Sequence, residues 1–142
     1  MQRGLAVADL GDLLTLPIVA VLAPRRADGS VLLSPVWHEW RDDGFSVVTG
    51  GDDVKLRHLR RDPRAVLLVA ESDTPYRGVE IRAVARLTDE GAAEALSRIA
   101  VRYLGDEAGN LYADAWPEDQ TLIRLEPSDS SSIRAWDFAD EF

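Results

Sequence analysis

The chain has 142 residues, of which 46% are hydrophobic and 29% charged, and its formal net charge is −9. This size and composition predict one folded domain over residues 1–142, and the acidic balance argues against binding to nucleic acid. The sequence has no cysteine and no apolar run near the roughly 20 residues that span a membrane, which excludes disulfides and a membrane helix, and we expect a cytoplasmic location because no signal-peptide pattern follows Met1.

The first fifty residues predict a short helix and then three strands joined by hairpins. Asp28-Gly29 supplies one hairpin turn, because this pair readily adopts positive φ. Pro35 lies inside the second strand and requires a bulge or a sheet edge, since proline donates no ladder hydrogen bond. The spacing of apolar residues places the helix over residues 5–14 and the strands over residues 18–23, 31–40 and 45–49.

The next segment combines a glycine-rich turn with a basic helix. Gly50-Gly51 is followed by Asp52-Asp53, which can cap a helix that ends at Asp62-Pro63. Residues 50–64 hold five basic and three acidic residues, including Lys55, the only lysine of the chain. A strand-to-helix turn offers free backbone N–H groups and the positive end of the helix dipole, so the segment predicts an anion site suited to phosphate. A solvated surface helix is the alternative interpretation.

The remaining residues predict further strands and one longer helix. The helix covers residues 89–104 and ends at Gly105, and a loop over residues 106–118 carries Tyr112 and Trp116. Together the segments indicate a mainly β (α+β) fold with about six antiparallel strands and three helices in a barrel-like sheet. Strands are predicted over residues 64–71, 76–88 and 122–125, with a last extended piece over residues 133–138.

Four stretches in this order resemble a known family. They are Asp28-Gly29-Ser30 leading to Ser34-Pro35-Val36-Trp37, Thr49 followed by the run from Lys55 to Arg64, Pro75-Tyr76-Arg77-Gly78 with the strand after it, and Tyr103-Leu104-Gly105. Over roughly residues 5–138 the chain resembles the pyridoxamine 5′-phosphate oxidase-like split β-barrel family, and within it the actinobacterial flavin- and deazaflavin (F-420)-dependent oxidoreductases. The resemblance implies a six-stranded antiparallel split β-barrel with about three short helices, of the FMN-binding type.

The same resemblance implies a homodimer with two cofactor sites at its interface. The cofactor is F-420 or FMN, with its phosphate at Thr49, Gly50 and the start of the helix that carries Lys55 and Arg57. Its tricyclic ring lies along Pro35, Val36 and Trp37. Tyr76 lines the pocket or the dimer seam, and Trp136 of a second copy lies near the ring.

The resemblance implies an oxidoreductase that moves hydride from reduced F-420 or FMN to a small conjugated substrate. The cofactor carries such chemistry, so we expect no nucleophile or triad and assign no catalytic residue. Two histidines and no cysteine suggest no metal site. His38 is a candidate proton donor, although a lone histidine on a strand is more often a packed residue.

Two alternatives remain open because of Asp52 and Asp53. Members of the F-420 group often carry additional arginines just before the lysine, where this chain has Gly51, Asp53 and Val54. A carboxylate beside a phosphate is unfavourable. The chain would then be a non-catalytic dimeric protein that binds a flavin, a deazaflavin or a haem-like ligand, or a structural dimer with a degenerate site.

Overall fold

The computed structural model describes residues 1–142 and contains eight strands in one antiparallel sheet. Three α-helices and four short 3₁₀ turns connect the strands. The strands are β1 (Ala20–Pro24), β2 (Ser34–Val36), β3 (Glu39–Arg41), β4 (Gly44–Gly50), β5 (Arg64–Ala70), β6 (Gly78–Thr88), β7 (Gln120–Pro127) and β8 (Ile133–Trp136), and the helices are α1 (Val54–Arg61), α2 (Ala92–Leu104) and α3 (Asp106–Asp114). None of the helices has the length and apolar character that crossing a membrane requires.

The central strand of the sheet is β6, which has 11 residues. It pairs with β5 from Gly78 to Val84, with β8 over its first part and with β7 over its last part. The sheet order is β2-β1-β5-β6-β7-β4-β3, with β8 paired to β6 outside this path. Since β6 changes partner from β8 to β7, the sheet divides there and curves into a half-barrel.

The core fills the inside of this half-barrel. Strand residues alternate between the core and the outside, so every second side chain of β1, β5 and β6 is buried. Phe45 on β4 is the largest fully buried side chain. A second, smaller apolar cluster lies where α2 and α3 pack together, and its members are Leu96, Ala100 and Ala113 with Trp37, Val48 and Trp116 beside them.

Arg77 fastens the N-terminal segment to the sheet. Its guanidinium donates to Glu71 at 2.6 Å, to Asp12 at 2.7 Å and to the carbonyl oxygen of Leu10 at 2.9 Å. Hydrogen bonds from the Arg77 side chain hold the pKa of Glu71 below its usual range. This network ties the first 3₁₀ turns to the segment between β5 and β6.

The structure confirms the mainly β, antiparallel fold and corrects three details. The sheet has eight strands, not six, partly because the predicted strand over residues 31–40 divides into β2 and β3, with Pro35 on the edge strand as required. The predicted helix over residues 5–14 is two 3₁₀ turns, interrupted by Gly11 at φ 61°. The predicted loop over residues 106–118 contains α3, which begins directly after Gly105.

Candidate functional site

A cavity of about 330 Å³ lies among β2, β4, the start of α1 and the helices α2 and α3. Its volume is within the range of small-molecule sites. Most of the residues that line it are hydrophobic. The lining residues are Val19, Pro35, Val36, Trp37, Val47, Val48, Thr49, Lys55, Leu96, Ile99, Tyr112 and Trp116.

One side of the cavity is aromatic. The ring of Trp37 stacks on Tyr103 with centroids 4.7 Å apart and 7° between the planes, and Tyr112 lies 5.1 Å from Trp37. The Tyr103 hydroxyl donates to the carbonyl oxygen of Ile18 at 2.5 Å, which fixes the ring beneath Trp37. Trp116 follows at 6.0 Å from Tyr112. Such a surface suits a planar ring ligand, because aromatic groups prefer offset or tilted stacking.

Thr49 and Lys55 form a polar corner of the cavity, and Asp53 lies against both of them. Asp53 caps α1 and accepts three hydrogen bonds: from the Lys55 ammonium at 2.6 Å, from the Thr49 hydroxyl at 2.8 Å and from the Lys55 backbone N–H at 2.9 Å. Burial favours the neutral acid, but these hydrogen bonds outweigh it and lower the pKa of Asp53. Lys55 is buried, with an exposed fraction of 9%. Its charge is therefore compensated within the chain.

The glycine turn before α1 is also internally bonded. Gly51 donates its N–H to the carbonyl oxygen of Asp119 at 3.0 Å, and Asp53 donates to the carbonyl oxygen of Gly50 at 3.1 Å. A Cβ at Gly51 would meet the Asp119 carboxylate, so this side chain lies directly against the turn. The turn brings a second carboxylate close to the helix start.

The cavity and its polar corner differ in how well they fit the cofactor that the sequence predicts. The apolar wall and the stacked aromatic rings fit a flavin or deazaflavin ring. The corner does not fit a phosphate as it stands, because Asp53 already accepts from Thr49 and Lys55, the donors that would hold one. A phosphate could bind Thr49 and Lys55 here only by displacing the Asp53 carboxylate from them.

Five of the nine predicted cofactor-binding residues meet at the cavity, and four lie elsewhere in the chain. The five are Pro35, Val36, Trp37, Thr49 and Lys55.

Gly50 ends β4 beside the cavity, and Arg57 is exposed on α1. Tyr76 is 41% exposed and contacts Phe138. Trp136 packs against Gly78, where a Cβ would clash with its indole. The predicted roles of Gly50 and Arg57 at a phosphate, and of Tyr76 and Trp136 near the ring or the dimer seam, remain predictions.

Sequence reasoning did not identify Tyr112 and Trp116 as residues that shape the site, and it placed Asp53 beside the expected phosphate without predicting its pairing with Lys55 and Thr49. The two aromatic residues gave a signal, since large aromatic side chains are uncommon in a loop that has no partner for them. The sequence signal for the role of Asp53 was weaker, because helix capping alone does not predict where the second carboxylate oxygen points.

His38 does not line the cavity. Its ring is fully buried between Phe45 and Tyr103, and neither ring nitrogen has a hydrogen-bond partner. Burial, and next the charge of Arg102, lowers the pKa of His38 to about 3. The side chain is therefore neutral at ordinary pH and packed, and it cannot deliver a proton to a ligand in the cavity.

Comparison with known proteins identifies one family and several structural neighbours. The family model described as pyridoxamine 5′-phosphate oxidase matches residues 8–134. A conserved hypothetical protein from Mycobacterium tuberculosis is 26% identical with a TM-score of 0.78, over 96% of this chain and 88% of that chain.

Two further neighbours share the fold at lower identity. A protein described as an F420 reductase is 21% identical with a TM-score of 0.67, over 83% of this chain and 92% of its own. The haem storage protein HutZ from Vibrio cholerae is 17% identical with a TM-score of 0.67, over 87% of this chain and 90% of its own. The search of curated proteins gave no match.

Proposed function

Because the chain belongs to the pyridoxamine 5′-phosphate oxidase family, we propose that it is an oxidoreductase that binds a flavin or deazaflavin ring in the cavity beside Trp37. The ring would be that of F-420 or FMN, which supplies hydride transfer to a small conjugated substrate. The residues of the chain bind and orient the ring and exclude water from it. We propose that residues 1–142 form a single split-barrel domain that binds this cofactor.

The observation that carries the proposal is the gathering of Pro35, Val36 and Trp37 on an aromatic cavity wall. Trp37 is held by its stacking on Tyr103, whose hydroxyl is fixed by Ile18. A wall that is rigid before binding loses little entropy when a ring stacks on it. The solved neighbour described as an F420 reductase adds support at the level of the fold.

We also propose that the active form is a homodimer. Val19 lines the cavity and is 51% exposed, and Leu33, just before β2, is 68% exposed. Apolar side chains exposed next to a binding cavity are typical of an interface. A second copy placed here would cover the mouth of the cavity and could bring Tyr76 and Trp136 to the ring.

Binding of the ring can be tested by titrating the purified protein with F-420, FMN and riboflavin and following the visible absorbance of each ring. We expect at least one of them to bind, and we expect Tyr112→Ala to weaken binding by about tenfold, since a lost aromatic contact costs up to about 1.5 kcal/mol. Leu111→Ala is the matched control, because Leu111 is the neighbouring residue and is 67% exposed without lining the cavity. Failure of all three rings to bind would refute the proposal.

A non-catalytic binding protein is the second candidate, and the Asp53–Lys55 pair favours it, because the cation that lines the cavity is already paired with a carboxylate of the chain. Among its possible ligands haem has the least support. No histidine lines the cavity, and the ring of His38 is enclosed elsewhere. Mixing the reduced, ring-loaded protein with α,β-unsaturated ketones in the absence of oxygen separates the two candidates, since an oxidoreductase would transfer hydride from the ring to the ketone and restore the oxidised spectrum, whereas a binding protein would leave the ring reduced.

A further inference from the structure

The Asp53 carboxylate accepts hydrogen bonds from one hydroxyl, one ammonium and one backbone N–H at the start of a helix. These are the donor types that hold a phosphate in proteins. They converge at the polar end of an apolar cavity, where the tail of a ring ligand would end. Asp53 thus fills, from within the chain, the place that an anionic ligand group would take.

We propose that Asp53 is a specificity residue that substitutes for a ligand phosphate, so that the cavity selects a planar ring compound without a phosphate over its phosphorylated form. The selected class is a ring with an uncharged polyhydroxyl chain, such as riboflavin or the corresponding ribityl deazaflavin. This inference rests on the proposed function, namely that the cavity binds such a ring.

The charges at the corner explain the selection. A phosphate monoester carries a charge of about −1.5 to −2, and to reach Lys55 it would have to share this single cation with Asp53. Asp52 is exposed beside the cap, and Asp119 contacts the glycine turn, so two further carboxylates face the same region. A hydroxyl of an uncharged chain can donate to Asp53 without breaking the ion pair.

The Asp53 carboxylate keeps its negative charge at neutral pH. Although burial opposes its charged form, the hydrogen bonds from Lys55 and Thr49 keep the pKa of Asp53 below the usual value. The carboxylate is therefore ionised at neutral pH, and its repulsion of a phosphate persists under physiological conditions.

The test compares two pairs of ligands with and without a phosphate: riboflavin with FMN, which differ at the phosphate alone, and the ribityl deazaflavin with F-420, whose tail carries a phosphate and glutamates. Calorimetric titration of the parent protein should show the phosphate-free member of a pair binding at least about tenfold more tightly. In Asp53→Asn, which keeps an N-cap side chain but removes the charge, FMN should gain about tenfold while riboflavin changes by less than about threefold. Asp53→Ser, a second capping residue, should behave alike, and circular dichroism checks that both variants are folded.

Asp52→Asn is the matched control. Asp52 is the neighbour of Asp53 and makes no ion pair, so this substitution removes the same charge without releasing Lys55. The affinity for FMN should rise less than about threefold. Tighter binding of FMN than of riboflavin by the parent, or an equal gain for FMN in Asp53→Asn and Asp52→Asn, overturns the inference and leaves the proposed function standing. If none of the four ligands binds to any variant, the proposed function itself fails and the inference falls with it.

Discussion

The charge of the cavity's polar corner is decided by two side chains, Asp53 and Lys55. Their oxygen and nitrogen atoms lie 2.6 Å apart, with 29% and 11% of the two side chains exposed. At this degree of burial, removing one partner costs more than the pair itself contributes, because the other charge remains without compensation. The pair therefore matters for the fold as well as for ligand choice.

Replacing Lys55 tests this point. In Lys55→Met the carboxylate of Asp53 loses its cation, and we expect the free energy of unfolding to fall by about 1–3 kcal/mol. Arg57→Met on the same helix is the control, because Arg57 is exposed, and it should change stability by less than about 0.5 kcal/mol. Urea denaturation measures both, and equal effects would show that the pair adds nothing to stability.

His38 gives a pH dependence whose sign follows from its burial. Its pKa is about 3 in the folded protein and about 6.5 when unfolded, so between these values only the unfolded chain binds the proton. The stability from keeping this ring neutral is fully present above about pH 6.5 and is lost as the pH falls toward 3.

At about pH 5 we expect the parent to have lost about 2 kcal/mol through this group relative to about pH 7.5. His38→Gln cannot take up the proton, so its loss over the same interval should be smaller by that amount. Urea denaturation at the two pH values provides the comparison. An identical pH dependence in parent and variant would contradict the buried, neutral state of His38.

At the scale of elements, the position of α3 depends on a close contact with α2. A Cβ on Gly109 would lie 2.5 Å from the Cα of Val101 and 2.7 Å from the carbonyl carbon of Ala100. The two helices can approach so closely only because residue 109 has no side chain. This approach sets where α3 places Tyr112 at the cavity.

Gly109→Ala should therefore separate the helices. Alanine favours a helix over glycine by about 1 kcal/mol, but we expect the clash with the α2 backbone to outweigh this and to destabilise the protein by about 1–3 kcal/mol. Ring binding should weaken as well, because Tyr112 and Trp116 would move outward. Thermal unfolding and calorimetry measure the two effects. Asn110 is the exposed neighbour of Gly109, so Asn110→Ala measures the helix preference of alanine without a clash. If Gly109→Ala is as stable as this control, the close contact between the helices is refuted.

The elements that could be predicted from the sequence are those with local signals. Asp53 before α1 and Asp62-Pro63 after it marked a helix that the structure places at Val54–Arg61, and alternation marked β6. The helix α3 could not be predicted in this way, because Gly109 lies in its middle and its main contact is with another helix.

The sequence predicts Pro35, Val36 and Trp37 on one side of the site, and all three line the cavity, but it does not predict the pairing within the polar corner. Residues two apart do not face each other within a helix. Asp53 reaches Lys55 because it stands outside α1 in an extended conformation, at φ −62° and ψ 136°, from which its carboxylate turns back over the first turn. Both charged residues are visible in the sequence, but their ion pair depends on the backbone conformation of Asp53, which the sequence does not show.

At the scale of the whole molecule, the sheet ends in two edge strands of three residues each, β2 and β3. Such short edges discourage strand addition by a second copy. Association is therefore expected through side chains such as Leu33 and Val19, which are exposed apolar groups close to β2.

Light scattering at low micromolar concentration should give about twice the chain mass of 15.7 kDa. Leu33→Asp should shift the protein toward the monomer, because a charge at the centre of an apolar contact is poorly tolerated. Asn110→Asp adds the same charge on exposed α3 and should leave the mass unchanged. A monomeric parent would exclude a second copy from the site.

The placement of the indole side chains gives the molecule an optical reporter of its own. Of four tryptophans, Trp37 and Trp116 line the cavity, whereas Trp40 packs at 4.8 Å on Phe45 and Trp136 lies beneath the guanidinium of Arg134. A ring that enters the cavity would shield Trp37 and Trp116 from a collisional quencher such as acrylamide and leave Trp40 as it was. The accessible share of the ultraviolet emission thus distinguishes occupancy of this cavity from binding anywhere else on the surface.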